Sequence, residues 1–338
     1  MNKSLYIVAF SLAFATTGIA QNNEGQDKTV DLGTQTTTEL RKTQAVSTIY
    51  SDELDKNATT SPYNAIYGLL PGLTVMQNTS WGTDKSRLNV RGRGSLNGDT
   101  PLFVVDGFAR PIEYINLSEI ESISVLKDGA ASAIYGTRGS NGVILINLKK
   151  GTKDGQVHTT YSTSVTFNKA KKELDIMNAE EYRAYRTVSN PLSDMGADSD
   201  WFDAVTQLGV THMHTLTFSG GNARTNYRVT ADYRNARGID LRSDRREYGA
   251  RANINHTTKD GLFTFSANIT PRVIDRNKSA NVYSNAIKNN PTMPIYDSES
   301  ANGYYRFPSG TEGSNIVEQL NEEENGTEIK LLECYGCR

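Results

Sequence analysis

Three groups of side chains have spacings that could carry chemistry. Cys334 and Cys337 stand at C-x-x-C spacing and are the only cysteines. A redox pair needs its first cysteine at a helix N-terminus, where the thiol pKa falls. A structural zinc needs four ligands. No second pair and no nearby histidine complete such a set, so accidental spacing is the simpler reading. Gly92-x-Gly94 followed by Gly98 has the look of a phosphate loop. It misses the dinucleotide spacing by one residue, and a strand follows it where a phosphate-holding helix N-terminus should begin. His158, His212, His214 and His256 are the only histidines. His212 and His214 share one strand face, but no carboxylate or cysteine stands at ligand spacing, so they read as wall residues of a sheet. No nucleophile elbow, zincin helix or paired-carboxylate motif is present. The expectation is a chain that is not an enzyme, with no catalytic, cofactor-binding or metal-ligating residues and no cofactor.

Composition narrows the class. The chain has 338 residues and a formal net charge of −2, with no polybasic face to meet nucleic acid. Its 37% apolar content is low for one dense core. Tyr (17) outnumbers Phe (10) and Trp (2) together, and such polar, Tyr-rich sequence suits exposed β structure or a barrel with a wet interior. Met1-Asn2-Lys3, an apolar run from Leu5 to Ala15, and Gly18-Ile19-Ala20 make residues 1–20 a secretory signal peptide, with Gln21 as the mature start. That run is too short to span a bilayer, and no later stretch reaches ~18 consecutive apolar residues. Any membrane span must therefore be a β-barrel.

The elements that would position a site group into two regions. From 37 to 151 the pattern is a mixed α/β domain. Pro62 opens a helix over Tyr63–Leu70, Pro71-Gly72 breaks it, and Leu73–Gln77 and Leu88–Gly94 are strands. Val104-Val105-Asp106-Gly107 reads as a strand ending in a tight turn. Ser118–Glu121 fits a capping box, Ser122–Lys127 a strand. Asp128 is expected to cap a helix over Gly129–Tyr135 that Gly136 ends, before a strand over Gly142–Lys149.

From Gly155 the period becomes two. Tyr161, Thr163, Val165 and Phe167 share one face; so do Leu216 and Phe218, then Tyr227, Val229, Ala231 and Tyr233. Tyr248, Ala250, Ala252 and Ile254 follow, then Phe263, Phe265, Ala267 and Ile269. The opposite faces carry Thr215, Thr217, Arg228, Asp232, Arg234, Arg251 and Asn268. About five strands of ~10 residues fit a transmembrane barrel, whose aqueous lumen would accept the charges. A soluble sheet with one wet face has the same period. Connection lengths favour the barrel: Gly220–Ala223 and Thr257–Gly261 are short, whereas Asn168–Thr211, Asn235–Arg245 and everything after Val273 are long. The strand near His158 then rises from the periplasm. Asn178–Arg186 reads as a loop helix, and Trp201-Phe202 as an interfacial anchor or a packed loop pair.

The stretch Phe103–Gly151 resembles the signature of SusC-like (RagA-like) TonB-dependent outer-membrane transporters. The match consists of VDG, I-x-S-I-x-VLKD and A-x-x-x-YG-x-RG-x-x-GVI. Its residues here are Asp106, Gly107, Lys127, Asp128, Tyr135, Gly136, Arg138, Gly139 and Gly142. Ser61–Val75, Asn89–Gly98, Thr100–Asp106, Arg224–Leu241 and Asn321–Leu332 also look like that family's plug and early barrel. The resemblance implies an α+β plug domain (a small mixed sheet with short helices) over 37–151. The first antiparallel strands of a transmembrane β-barrel follow over 155–338.

In such a family the plug blocks a barrel of roughly twenty-two strands. The expected partners are TonB, a SusD-like surface lipoprotein and a glycan or peptide ligand, in the cell outer membrane. Thr29, Val30, Asp31, Leu32 and Gly33, within the linker 21–36, stand where the family's TonB box precedes its G-T-Q. Such a box binds by adding a strand, which tolerates sequence variation; a plain linker is the alternative. Five strands fall short of the ~8 needed to close a barrel. The ending ECYGCR also departs from the family. The expectation is a truncated, transport-incompetent importer, in the outer membrane or left in the periplasm. The alternatives are a soluble periplasmic binding or adhesion module and a siderophore-type receptor.

Overall fold

The computed structural model describes residues 29–31, 36–38, 45–54, 59, 61–76, 86–92, 100–129, 133–171, 174–186, 194–277, 282–309, 313–322, 326–330 and 334–335. The signal peptide expected at 1–20, and Gly94, Gly98 and Cys337, lie outside the described residues. Two short strands come first: β1 (Thr29–Asp31) pairs antiparallel with β2 (Thr36–Thr38).

The N-terminal domain follows with β3 (Val46–Tyr50), α1 (Ser51–Leu54), α2 (Pro62–Ala65), β4 (Leu73–Met76), β5 (Arg87–Val90), β6 (Leu102–Val105), β7 (Phe108–Ala109), β8 (Ile120–Leu126) and β9 (Val143–Leu148). Its main sheet runs β3-β8-β9-β6-β7, antiparallel except for β6 beside β9. A separate hairpin joins β4 and β5. Sheet residues on one face (Ile49, Val105, Ile123, Ile144, Ile146) pack on Leu54, Tyr63, Ile66, Leu88 and Ile112. Those on the other (Val46, Val104, Leu126, Leu145) form a smaller cluster with Tyr135 against it. A strand covered on both faces reads as an unbroken apolar run, which is why β9 is Val-Ile-Leu-Ile-Asn-Leu.

Local details differ from the sequence reading. The helix expected over Tyr63–Leu70 is one turn, Pro62–Ala65, followed by turns. A 3-10 turn over Leu117–Glu119 is capped by Asn116, whose Oδ1 accepts the Ser118 N–H at 3.0 Å, so the cap precedes the expected Ser118 and Glu121 lies on β8. Gly136 does not end a helix: it is the kink within a 3-10 run over Ala133–Gly139.

The second half is a meander of β10 (Val157–Asn168), β11 (Gly209–Gly221), β12 (Thr225–Arg237), β13 (Asp244–Thr257), β14 (Thr264–Ile269), β15 (Arg272–Asn277), β16 (Gly326–Lys330) and β17 (Cys334–Tyr335). β14 and β15 both pair with β13 in one continuous register; Pro271, with no N–H to give, interrupts the ladder between them. β16 and β17 pair back onto β15 and β14. The wall therefore holds six antiparallel runs, one more than expected, and the fifth extends past Val273 to Asn277.

Connections are short at one end (Asn222–Arg224, Thr258–Phe263) and long at the other. The long ones carry α3 (Ala179–Arg186), α4 (Trp201–Ala204), α5 (Val282–Lys288) and α6 (Ile316–Glu322). Asn178 caps α3 reciprocally with Glu181, at 2.9 and 3.0 Å. Trp201 is a packed loop residue: it is buried with Val205, Met293, Ile316 and Leu320, and its Nε1 donates to the Asn290 carbonyl. Among the described residues no helix is long and apolar enough to cross a membrane.

Candidate functional site

The strand wall is inverted relative to a soluble sheet. Its alternation places Thr211, Thr215, Thr217, Ser219, Thr230, Arg251 and Asn253 on the buried face. Tyr161, Phe218, Val229, Tyr248, Ile254 and Phe265 lie on the exposed one. The buried polar face closes on the N-terminal domain. Of the charges expected on the inner face, Arg228 and Arg251 pair with the plug, while Asp232 and Arg234 pair within the wall.

Glu119 is the centre of that seam. The Asn116-capped turn presents it to the wall, and it is 2% exposed. Its carboxylate accepts from Arg228 Nη2 at 2.9 Å and Nε at 3.1 Å, from Arg251 Nη1 at 2.7 Å, and from Thr230 Oγ1 at 2.9 Å. Arg251 Nη1 also donates to the Lys149 carbonyl at 3.0 Å. Asn116 Nδ2 donates to Thr215 Oγ1 at 3.4 Å. Burial by itself would push the Glu119 carboxyl up; the Arg228 hydrogen bond and the charges of Arg228 and Arg251 outweigh it and hold the group below the usual range.

Asp106 is the second contact. It and Gly107 take φ of 48° and 88°, the left-handed pair that a two-residue hairpin turn between β6 and β7 demands. Asp106 Oδ1 accepts the Leu148 N–H at 3.0 Å. Oδ2 faces the wall loosely, 3.4 Å from Asn268 Nδ2 and 3.6 Å from Arg251 Nη2. Here burial wins: the carboxyl is pushed up despite the Leu148 N–H and the charges of Arg251, Lys150 and Arg110.

Nearer the long-loop end, the buried face carries a network of its own. Arg272 bridges Asp232 at 2.9 Å and Glu247 at 2.8 Å; Glu247 also binds Arg234 at 3.0 Å and the Arg245 guanidinium. Asp232 and Arg272 sit on either side of β13 and meet over Gly249, where a Cβ would lie 2.6 Å from both.

Of the signature residues, Asp106 with Gly107 reaches the wall, and the others build the domain. Lys127 Nζ donates to Ser47 Oγ at 2.6 Å and the Pro71 carbonyl at 3.0 Å. Asp128 accepts the Ala45 N–H at 2.8 Å. Tyr135, Gly136, Arg138 and Gly139 lie on the 3-10 run, and Gly142 leads into β9. Of the linker candidates, Thr29, Val30 and Asp31 form β1, while Leu32 and Gly33 lie outside the described residues. Glu119 and Asn116 had no functional reading in the sequence; the signal available was an acidic residue just before a buried strand whose opposite wall carries two arginines.

On the exposed face the histidine at 214 stacks between Tyr161 and Tyr233, with centroids 6.2 and 6.3 Å away, and Tyr233 packs on Tyr248 at 5.1 Å. His214 Nδ1 is 2.8 Å from the Tyr161 hydroxyl. The next outward row toward the long loops is His212, Asn235, Arg246 and Asp275. Among the described residues no His, Cys, Asp or Glu cluster could hold a metal.

Residues 38–143 match the TonB-dependent Receptor Plug Domain. The TonB-dependent receptor SusC of Bacteroides thetaiotaomicron is 32% identical over 315 residues, covering 86% of this chain and 30% of that protein. TonB-dependent receptor P26 of Formosa agariphila is 28% identical, covering 91% of this chain and 32% of its own length. The chain thus spans about a third of the length of these curated relatives. Among solved structures, the RagAB peptide importer in its open-open state superposes with a TM-score of 0.66 at 24% identity, covering 75% of this chain and 33% of that one.

Proposed function

The chain belongs to the SusC/RagA-like TonB-dependent receptors, and from that premise we propose that it supplies the plug and opening barrel strands of an outer-membrane importer of oligosaccharides or peptides. The observation that carries this reading is the inverted wall. Apolar and aromatic side chains face outward over the first five runs of the wall, while the polar face is closed by the plug. In water that outward face would be an apolar patch far larger than soluble monomers expose. In a bilayer it is the lipid-facing band, ending at the Tyr161–His214–Tyr233–Tyr248 row where an aromatic girdle belongs. The same pattern argues against the soluble periplasmic module.

The short turns face the periplasm in this reading and the long, packed loops face outward, where a SusD-like lipoprotein would cap them. TonB would couple to the plug through the N-terminal segment at Thr29–Gly33 by strand addition. The reading assigns no catalysis to the chain: among the described residues Glu119 and its arginines hold one another.

The test is a receptor whose opening third is this chain and whose remainder is that of SusC. It is expressed with and without TonB, and uptake of labelled oligosaccharides and peptides is followed. TonB-dependent uptake of either class is expected. A heat-modifiable, membrane-inserted receptor that takes up neither would overturn the reading.

A further inference from the structure

The seam between plug and wall is not uniform. On the β11–β13 side Glu119 closes it with bonds of 2.7 to 3.1 Å to Arg228, Thr230 and Arg251. On the β13–β14 side the Asp106 contacts lengthen to 3.4 and 3.6 Å. There a chamber of about 110 Å³ separates the two bodies, bounded by Asp106, Phe108, Arg110 and Lys150 on the plug side and by Asn253, Asn255, Ser266 and Asn268 on the wall.

The chamber's wall is uncharged and carries both donors and acceptors. Asn255 Nδ2 donates to Asn253 at 2.6 Å, and Ser266 Oγ donates to Asn255 at 2.9 Å. Asn253 is 5% exposed, yet its own Nδ2 donates to no group among the described residues. An amide donor left open to a polar cavity is a place for water or a polar solute.

We propose that Glu119 pins the plug to β12 and β13, and that the seam opens first at the chamber between the Asp106–Gly107 turn and the Asn253–Asn268 ladder. That opening is the first stretch of passage for a polar solute. The part about passage rests on the import reading; the order of opening does not. Parting the plug from the wall at Glu119 strands a buried carboxylate, the buried Arg251 guanidinium and the partly buried Arg228 one at once. Parting it at Asp106 loses two long contacts to a carboxylate already 22% exposed, beside amides that water can satisfy.

The test uses the full 338-residue chain refolded in detergent micelles, with Cys334→Ser and Cys337→Ser as background. Single cysteines at two positions of equal burial report the two sides: Asn253→Cys for the chamber and Thr217→Cys for the pinned side, both native residues being 5% exposed. Thiol labelling is followed as urea rises. At intermediate urea the cysteine at 253 should label at least about tenfold faster than the one at 217. Glu119→Gln should abolish that lag, and Arg183→Ala in the outer loop should leave it intact. Equal rates, or faster labelling at 217, overturn the proposal, as does a lag that survives Glu119→Gln. Failure of the import reading would show in uptake and leave these rates unchanged.

Discussion

The plug and the strand wall use the same residue types with opposite orientation. In the plug, Ile123, Val125 and Ile144 are fully buried. In the wall, Val229, Ile254 and Ile269 are 40–45% exposed, while Thr230, Arg251 and Asn253 are buried. The plug folds as a protein in water folds, by removing apolar surface from solvent. The wall's orientation suits an outer solvent of hydrocarbon, as the import reading requires. One chain then carries two folding rules, and the seam where they meet is polar: the plug offers charges and amides to the polar side chains of the wall's inner face. Hydrogen bonds and ion pairs at that seam do what apolar packing does inside the plug.

That contrast can be broken at either end. Glu119→Ala should have the largest effect, because it leaves the buried Arg251 and the partly buried Arg228 without their shared carboxylate. A cost of about 3–5 kcal/mol in seating the plug is expected, read as a lower urea midpoint for plug release in micelles. An equal loss of stability in the plug alone would place Glu119 in the wrong category. Ile146→Ala tests the apolar rule. It should cost roughly 2–5 kcal/mol of plug stability and leave the wall's heat-modifiable mobility intact. Val229→Arg tests the inverted rule. Near the middle of the band it should cost about 2–4 kcal/mol of insertion into vesicles, seen as a lower folded fraction on gels, whereas the same change on a soluble sheet's wet face would be neutral.

Much of this was legible from residues alone, and the reason is periodicity. Alternation from Tyr161 to Ile269 gave the strands and both faces, and the short and long connections gave the ends. The D-G dipeptide announced the turn at Asp106. What escaped the sequence was long-range pairing. Glu119 lies more than a hundred residues from Arg228, and a charged residue on an alternating strand looks alike whether it faces water or a partner. Arg228, Arg234 and Arg251 do lie on the inner face, as their alternation places them, but the carboxylates they pair with there were not visible in the sequence. Pro271 breaks the fifth run in two, and the sixth was hidden because its pieces β16 and β17 pair with a one-residue offset. The cap was misplaced where two candidates crowd together: Asn116 and Ser118 both suit an N-cap, and the structure uses Asn116.

The smallest expected effect is a pair of opposite pH slopes within the seam. Glu119 is held below its usual range in the assembled state. Its contribution is complete above the unfolded pKa and is lost as pH falls through the lower, folded value. Asp106 is pushed up. Its ionisation opposes assembly, so its term favours the closed seam at low pH and fades as pH rises from the unfolded pKa through the raised one. The two slopes partly cancel, and the native chain should show a shallow dependence of plug-release midpoint between roughly pH 3 and 6. Asp106→Asn keeps the turn, because Asn-Gly suits the same left-handed pair, and keeps an oxygen for the Leu148 N–H. It should steepen the loss of seating on acidification, exposing the Glu119 term alone. Glu119→Gln should reverse the slope, so that seating weakens as pH rises. Identical pH profiles for the native chain and both variants would mean that neither carboxylate senses the wall, and the distinction between a pinned side and a loose side of the seam would fall with them.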